Sequence, residues 1–516
     1  MHPLLRRVAP WFGVAVFGMA GFIPAASAAA SPAASRPPNI IFLLADDLGY
    51  GDLGAYGQKK IRTPHLDQLA RDGMKLTQHY SGHNVCAPSR CVLMTGQHPG
   101  HAYIRNNRGG LGVGSTTEGQ EPVPPGELKL PLTLKKLGYA TGAFGKWGLG
   151  SVGSTGDPND QGIDRFFGYN DQAVAHNFYP TSLWQNRERV PLANPAFSAH
   201  QRLPEGADPT KPESYAQFSG KDYAPDRIHG AAEQFLRDNK DRPFFLYYPT
   251  TVPHLALQVP EDSLADYKDA FPEVPYPGGR GYLPHRTPRA AYAAMVTRLD
   301  RDIGQLLDLL AELGLDGRTL VMTAGDNGSS FDPDSEIGRR FNQASNGLRG
   351  YKRGLYEGAL RQAALARWPG VVPAGRVSDE PWAFWDFLPT AAELAGVRLP
   401  ADHRTDGRSL VEFLRGGPAP RRDFFYWELH EQRPLQAARF GDWKAVRNAH
   451  DQPIELYDLA RDPGERANLA AAHPDQVARA ATIFQSEHTP DPRWPLDRRA
   501  AARQGSAAKK KTGGTK

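Results

Sequence analysis

The first clear pattern along the chain is an unbroken apolar run, Asn39-Ile40-Ile41-Phe42-Leu43-Leu44-Ala45. A strand with one wet face alternates polar and apolar residues, so a run without alternation fits a parallel strand covered on both faces. Residues 64–73 switch to a helical period, with Pro64 near the start, Leu66, Leu69 and Ala70 on one side and Gly73 at the end. Further helices are predicted after Cys86 and over 132–137, and strands over 139–144 and 244–248. Residues 290–313 repeat apolar positions at helical spacing (Met295, Leu299, Ile303, Leu306, Leu307, Leu310), and 319–323 return to a strand. Strand and helix thus alternate over most of 38–396, which predicts an α/β fold with a large, mainly parallel sheet sandwiched by helices.

Beyond about residue 400 the texture changes. Short strand-like runs lie at 424–427, 436–440, 443–446 and 454–457, with Gly441-Asp442 turning one into the next, and 473–487 is helical. This predicts a smaller C-terminal antiparallel sheet plus helix. The expected organisation is a catalytic α/β domain over 38–400, an α+β subdomain over 401–492 and a basic, disordered tail over 493–516.

The N-terminus reads as a secretory leader: Arg6 and Arg7, an apolar stretch over 9–23, then Ala26-Ser27-Ala28 as the cleavage site. The apolar stretch is shorter than the roughly 20 residues that span a bilayer. A signal peptide over 1–28 and a linker over 29–37 predict an exported protein, periplasmic or secreted, with no transmembrane segment in the mature chain.

Composition narrows the function little. Charged residues make up 23% of the 516, ordinary for a soluble globular protein. The net charge of +5 is matched by five basic residues in the tail, Arg503, Lys509, Lys510, Lys511 and Lys516, so no basic face for nucleic acid is indicated. Cys86 and Cys91 are the only cysteines. Placed five apart at the start of a predicted helix, they read more readily as two separate thiols than as a disulfide, with Cys91 a small buried apolar residue.

The chemistry gathers at strand ends. Asp46-Asp47 closes the first strand, and Asp326-Asn327-Gly328 follows the strand at 319–323. Parallel sheets collect ligands beyond the carboxyl ends of their strands. Three carboxylates and an amide carbonyl there make an all-oxygen set suited to a hard divalent cation, Ca²⁺ or Mg²⁺.

Cys86-Ala87-Pro88-Ser89-Arg90, with Thr95-Gly96 downstream, resembles the signature of the type I sulfatases of the alkaline phosphatase superfamily, whose Cys is oxidised to Cα-formylglycine. Gly138-Tyr139-Ala140-Thr141-Gly142-Ala143-Phe144-Gly145-Lys146-Trp147-Gly148-Leu149 is similar to a second family signature. Pro253-His254, Gly350-Tyr351-Lys352, Tyr356-Glu357-Gly358, Trp368-Pro369-Gly370, Leu456-Tyr457-Asp458-Leu459 and Asp462-Pro463 also look family-like. The resemblance implies one cation, most often Ca²⁺, held by Asp46, Asp47, the formylglycine at Cys86, Asp326 and Asn327. It implies a hydrated aldehyde with one hydroxyl to attack sulfur and another to expel sulfate. Arg90, Lys146 and Lys352 would hold the remaining anionic charge, and His254 would contact the sulfate and protonate the leaving alcohol.

One departure stands out. The second signature commonly carries His where this chain has Gly148, and that His touches the formylglycine hydroxyls. His176 is the candidate to take its place, as proton acceptor or substrate contact. Arg105 and Asn106 are read as support for the active-site loop. Phe178, Tyr179 and Trp184 could serve either as a sugar-stacking surface or as packing.

The expected function is hydrolysis of sulfate monoesters, small-molecule or glycan, with a sulfated carbohydrate as the natural substrate and a formylglycine-generating maturation enzyme as partner. The alternatives are a phosphonate or phosphate monoester hydrolase of the same superfamily, or a non-catalytic sulfoglycan-binding protein that keeps the Cys86 thiol.

Overall fold

The strand Asn39–Ala45 (β1) lies in the middle of the main sheet, paired in parallel with Phe244–Pro249 (β7) on one side and Thr319–Gly325 (β8) on the other. Its unbroken apolar run is explained by two cores. Ile40, Phe42 and Leu44 enter one hydrophobic cluster, and Ile41, Leu43 and Ala45 enter the other, on the opposite face. The computed structural model describes residues 36–108, 118, 120–278, 282–330, 346–399 and 403–497. The predicted leader over 1–28 and residues 498–516 of the predicted tail lie outside the described residues.

In chain order the other strands are Met74–Tyr80 (β2), Ala140–Lys146 (β3), Arg165–Tyr169 (β4), Ser182–Gln185 (β5), Glu188–Pro191 (β6), Arg361–Arg367 (β9), Arg376–Ser378 (β10) and Trp382–Ala383 (β11). The sheet runs β10-β2-β9-β8-β1-β7-β3-β4-β5-β6, with β11 also on β2. Its centre is parallel; β9 is antiparallel to both neighbours, and β5 and β6 form an antiparallel edge. Consequently β1, β3, β7 and β8 end on the same rim.

The second sheet is a meander of Phe425–Leu429 (β12), Leu435–Phe440 (β13), Trp443–Arg447 (β14) and Glu455–Asp458 (β15), all antiparallel. One face packs on helix Pro474–Ser486 through Ala480, Ile483 and Phe484. The other supplies Phe425, Trp427, Ala437 and Val446 to the cluster that also holds Phe42. Buried polar links join the two sheets: Arg439 donates to the Tyr80 hydroxyl at 2.6 Å and Lys444 pairs with Glu357 at 2.8 Å. Among the described residues no helix is long and apolar enough to cross a membrane.

Candidate active site

Helix Cys86–Thr95 begins at the cysteine itself, after Val85 in extended conformation, and all ten of its residues are buried. A helix start leaves backbone N–H groups without intrahelical partners. Asn107 Oδ1 accepts that of Ala87 at 2.9 Å. The start of the helix is thereby aimed at the rim where Asp46 and Asp47 leave β1.

There the predicted residues meet. The Cys86 sulfur lies 3.4 Å from Asp46 Oδ1, 4.0 Å from Asp47 Oδ1 and 3.2 Å from Lys352 Nζ. Lys352 Nζ also donates to both Asp47 oxygens, at 2.8 and 2.9 Å, and to His254 Nε2 at 3.1 Å. Lys146, the last residue of β3, donates to Asp46 Oδ2 at 2.6 Å. Arg90 holds Asp326 Oδ2 through Nη2 at 2.9 Å, reaches Asp46 at 3.6 Å and donates to the Lys146 carbonyl. Asp326 Oδ1 accepts the Asp47 N–H at 3.1 Å, and Asn327 Nδ2 donates to Asp47 Oδ1 at 2.5 Å. Asp47 takes a positive φ of 61°, in the left-handed region, so it turns sharply away from its neighbour.

Charge is dense here and the side chains that carry it are buried. Burial alone would raise Asp46, but Lys146, His254 and Arg90 outweigh it and hold that carboxyl well below the usual range. Burial and the nearby Asp46 push Asp326 up to about 7. Burial pushes the Cys86 thiol up to about 12, so an unmodified cysteine here is a protonated, weak nucleophile. The side chain is 1% exposed and bonded to no other cysteine.

The donor set fits a hard cation. Asp46, Asp47, Cys86 and His254 each offer an atom within 4.8 Å of the others. Asp326 and Asn327 adjoin Asp47, and Asn327 Oδ1 is buried without a hydrogen-bond donor among the described residues. An orphaned carbonyl beside three carboxylates is the arrangement a divalent ion completes.

His176 ends a short turn, and its ring stacks on His254 at 4.6 Å between centroids and 6° between planes. Its Nδ1 lies 3.2 Å from His200 Nε2. It therefore reaches the cluster through His254, and none of its hydrogen bonds among the described residues goes to Cys86. The aromatic triplet divides. Phe178 and Tyr179 are buried and pack on Tyr223, so they belong to the core and not to a sugar platform. Trp184 donates to Glu118 at 2.6 Å under the Arg189 guanidinium. Arg105 and Asn106 bond to Glu428 at 2.8 Å and the His430 carbonyl at 3.1 Å, tying the loop after the Cys86 helix to the second sheet.

Residues not anticipated also enter. Ser330 donates to Asp47 Oδ2, and Tyr282 packs its ring edge on His254 at 5.7 Å. Ser330 was within reach of the Asp326-Asn327-Gly328 motif; Tyr282 had no sequence signal. A cleft of about 1030 Å³ opens from Tyr282 and Lys352 towards Arg353, Arg433 and Arg466.

A family model described as Sulfatase matches residues 38–397, a span that carries every residue of this cluster. The chain belongs to the sulfatase family. A second model, for the C-terminal part of N-sulphoglucosamine sulphohydrolase, matches residues 349–483 of this sulfatase, from the Lys352 loop through the second sheet. Human arylsulfatase A is 34% identical over 486 residues, covering 86% of this chain and 85% of its own. Mouse steryl-sulfatase is 32% identical over 536 residues, covering 87% and 81%. Among solved structures, Ps i-CgsB in complex with k-i-k-neocarrahexaose superposes with a TM-score of 0.72 at 25% identity, covering 90% of this chain and 96% of that one.

Proposed function

We propose that this sulfatase acts on sulfated carbohydrates through Cα-formylglycine at position 86. The single observation that carries the reading is the position of the Cys86 sulfur, buried among Asp46, Asp47 and Lys352 at the head of a helix. A thiol there has no chemistry suited to a sulfate ester. A hydrated aldehyde would supply one hydroxyl for attack and a second for release of sulfate. A Ca²⁺ or Mg²⁺ ion on Asp46, Asp47, Asp326 and Asn327 would polarise a sulfate oxygen.

The chain's own groups do the remaining work. Arg90 and Lys146 hold the carboxylates of Asp326 and Asp46 and would supply a positive wall for the anion. His254 Nδ1 donates to the Leu255 carbonyl, which leaves Nε2 as the acceptor facing Lys352. Lys352 therefore holds the proton, and the Lys352–His254 pair delivers it to the departing alkoxide. His176, stacked on His254, is proposed as a proton acceptor or substrate contact.

Carbohydrate is favoured by the cleft. Its volume, about 1030 Å³, exceeds what one small aryl sulfate would fill. Tyr351 stands 39% exposed at its edge beside Lys352. The k-i-k-neocarrahexaose in the structure of the similar protein Ps i-CgsB supports the same class. The leader-like segment 1–28 supports export.

Mass spectrometry of the peptide spanning Cys86 tests the reading, since conversion to the aldehyde removes about 18 Da. The converted protein should release sulfate from a sulfated oligosaccharide, and an unconverted thiol in active enzyme would defeat the proposal.

A further inference from the structure

We propose that Gln172 is a substrate-contacting residue of the sulfate pocket, its side-chain N–H groups donating to the ester's sulfuryl oxygens. The inference rests on the sulfatase reading above and extends it to a residue outside every motif that identified the site.

The starting point is Gly148, two residues after Lys146. Trp147 turns into the core, where its indole N–H donates to the Gly156 carbonyl at 2.9 Å. Lys146 itself meets Asp46, and beyond it the chain stays beside the end of β4 and the segment that follows, the Trp147 and Gly148 N–H groups donating to the Tyr169 and Asn170 carbonyls at 2.8 and 3.1 Å. Gly148 has no side chain to place there, and the space is taken. A methyl group built on it would lie 1.5 Å from Gln172 Nε2 and 2.7 Å from Cδ, at a backbone φ of +75°. The Gln172 amide thus occupies the position that a side chain at 148 would hold, alongside the strand end that carries Lys146.

That amide is unused among the described residues. Gln172 is 8% exposed, and neither Nε2 nor Oε1 has a hydrogen-bond partner among the described residues. The adjoining Asn170, whose carbonyl accepts the Gly148 N–H at 3.1 Å, is equally unpartnered through its side chain. Buried amides are normally satisfied, so a pair of them on a catalytic rim calls for an outside partner. Four residues further on, His176 stacks against His254, so the segment that carries Gln172 also touches the cluster.

The chemistry of the partner follows from what else is present. Lys146, Lys352 and Arg90 are already engaged by Asp46, Asp47 and Asp326. A sulfate ester brings three non-bridging oxygens that share one negative charge, and a further, uncommitted donor adds to the positive wall that Arg90 and Lys146 would provide. A neutral amide supplies two N–H groups without adding charge, and it is held in place by the close fit against Gly148.

Two variants test this, Gln172→Leu and Gln172→Glu, in enzyme with verified aldehyde at 86. With 4-nitrophenyl sulfate, Gln172→Leu is expected to lower kcat/KM by about 10²- to 10³-fold, the range for a lost preorganised donor. Gln172→Glu should fall further, because a carboxylate of the same size repels the anion. Inorganic sulfate should inhibit both variants more weakly by a similar factor, with melting temperatures close to wild type. Titration of Cys86→Ala protein with inorganic sulfate, with and without Gln172→Leu, reads the contact without turnover. Loss of sulfate affinity in the double variant supports the assignment. Equal affinity, or wild-type kcat/KM in Gln172→Leu, overturns it and leaves the amide a holder of buried water. If Gln172→Leu fails to fold, Gln172→Met and the sulfate titration decide by the same criteria. A wild-type enzyme that turns over no sulfate ester yet binds sulfate through Gln172 would sink the functional reading and leave this contact standing.

Discussion

Lys352 Nζ lies 3.2 Å from the Cys86 sulfur and 2.8 Å from Asp47 Oδ1, so one ammonium touches the position of the proposed nucleophile and a member of the oxygen set. Burial would lower its proton affinity, but Asp47 and Cys86 raise it well above the usual value. Lys352→Met should lower kcat/KM by about 10²- to 10³-fold. Lys352→Arg should not restore activity, since a planar guanidinium cannot reproduce the compact contact with both groups. Steady-state kinetics on one sulfate ester checks both, and wild-type turnover in Lys352→Met would remove the residue from the mechanism.

Arg90 is wholly buried and paired with Asp326, also buried. Removing one member strands the other's charge. Arg90→Gln should cost about 3–5 kcal/mol of stability, measurable as a lower midpoint in urea. Activity should vanish with it. A midpoint within error of wild type would mean that Asp326 is already neutral.

Asp46, Asp47 and Asp326 crowd together with an orphaned Asn327 carbonyl. Chelation should abolish activity and lower the melting temperature, and added Ca²⁺ or Mg²⁺ should reverse both. At a hundredfold excess over Kd the ion should contribute about 2.7 kcal/mol of stability. A chelator-treated enzyme with unchanged melting and turnover would refute the cation site.

His176→Ala removes the ring stacked on His254. If it accepts a proton in the cycle, kcat should fall about 10²-fold and the basic limb of the pH–rate profile should move. A profile superimposable on wild type with near-normal kcat rules that role out.

Away from the site, burial pushes Glu465 up to about 8, against the pull of Lys444. A carboxyl whose folded value is raised binds its proton more tightly when folded. Its stabilising contribution is complete below the unfolded value near 4.3 and is lost as pH rises through about 8. Glu465→Gln should therefore gain stability relative to wild type between pH 5 and pH 9. Urea midpoints at those two pH values check the sign; a constant difference contradicts it.

Much of this architecture was legible because local pattern and tertiary role agree. The run 39–45 is apolar throughout because β1 feeds two cores. The Asp-Asp, Cys-Ala-Pro-Ser-Arg and Asp-Asn-Gly motifs meet because parallel strands end on one rim. Other parts were hidden. β2 (Met-Lys-Leu-Thr-Gln-His-Tyr) and β9 (Arg-Gln-Ala-Ala-Leu-Ala-Arg) carry polar residues that read as surface, yet are covered by neighbouring strands and the second sheet. Phe178 and Tyr179 show the converse: aromatic composition does not say which face a ring takes. Tyr282 and Gln172 join the site only through long-range approach, which no local spacing encodes.

The sealing of residue 86 also dates its chemistry. With 1% of its surface reachable and the helix around it fully enclosed, no second protein can grip that side chain in the finished molecule. Any catalyst that rewrites the thiol as an aldehyde must meet the segment while it is still a loose ribbon, before the sheets close over it. Under the proposed conversion, maturation and folding would then compete for the same brief interval, and a chain that closed first would keep its thiol.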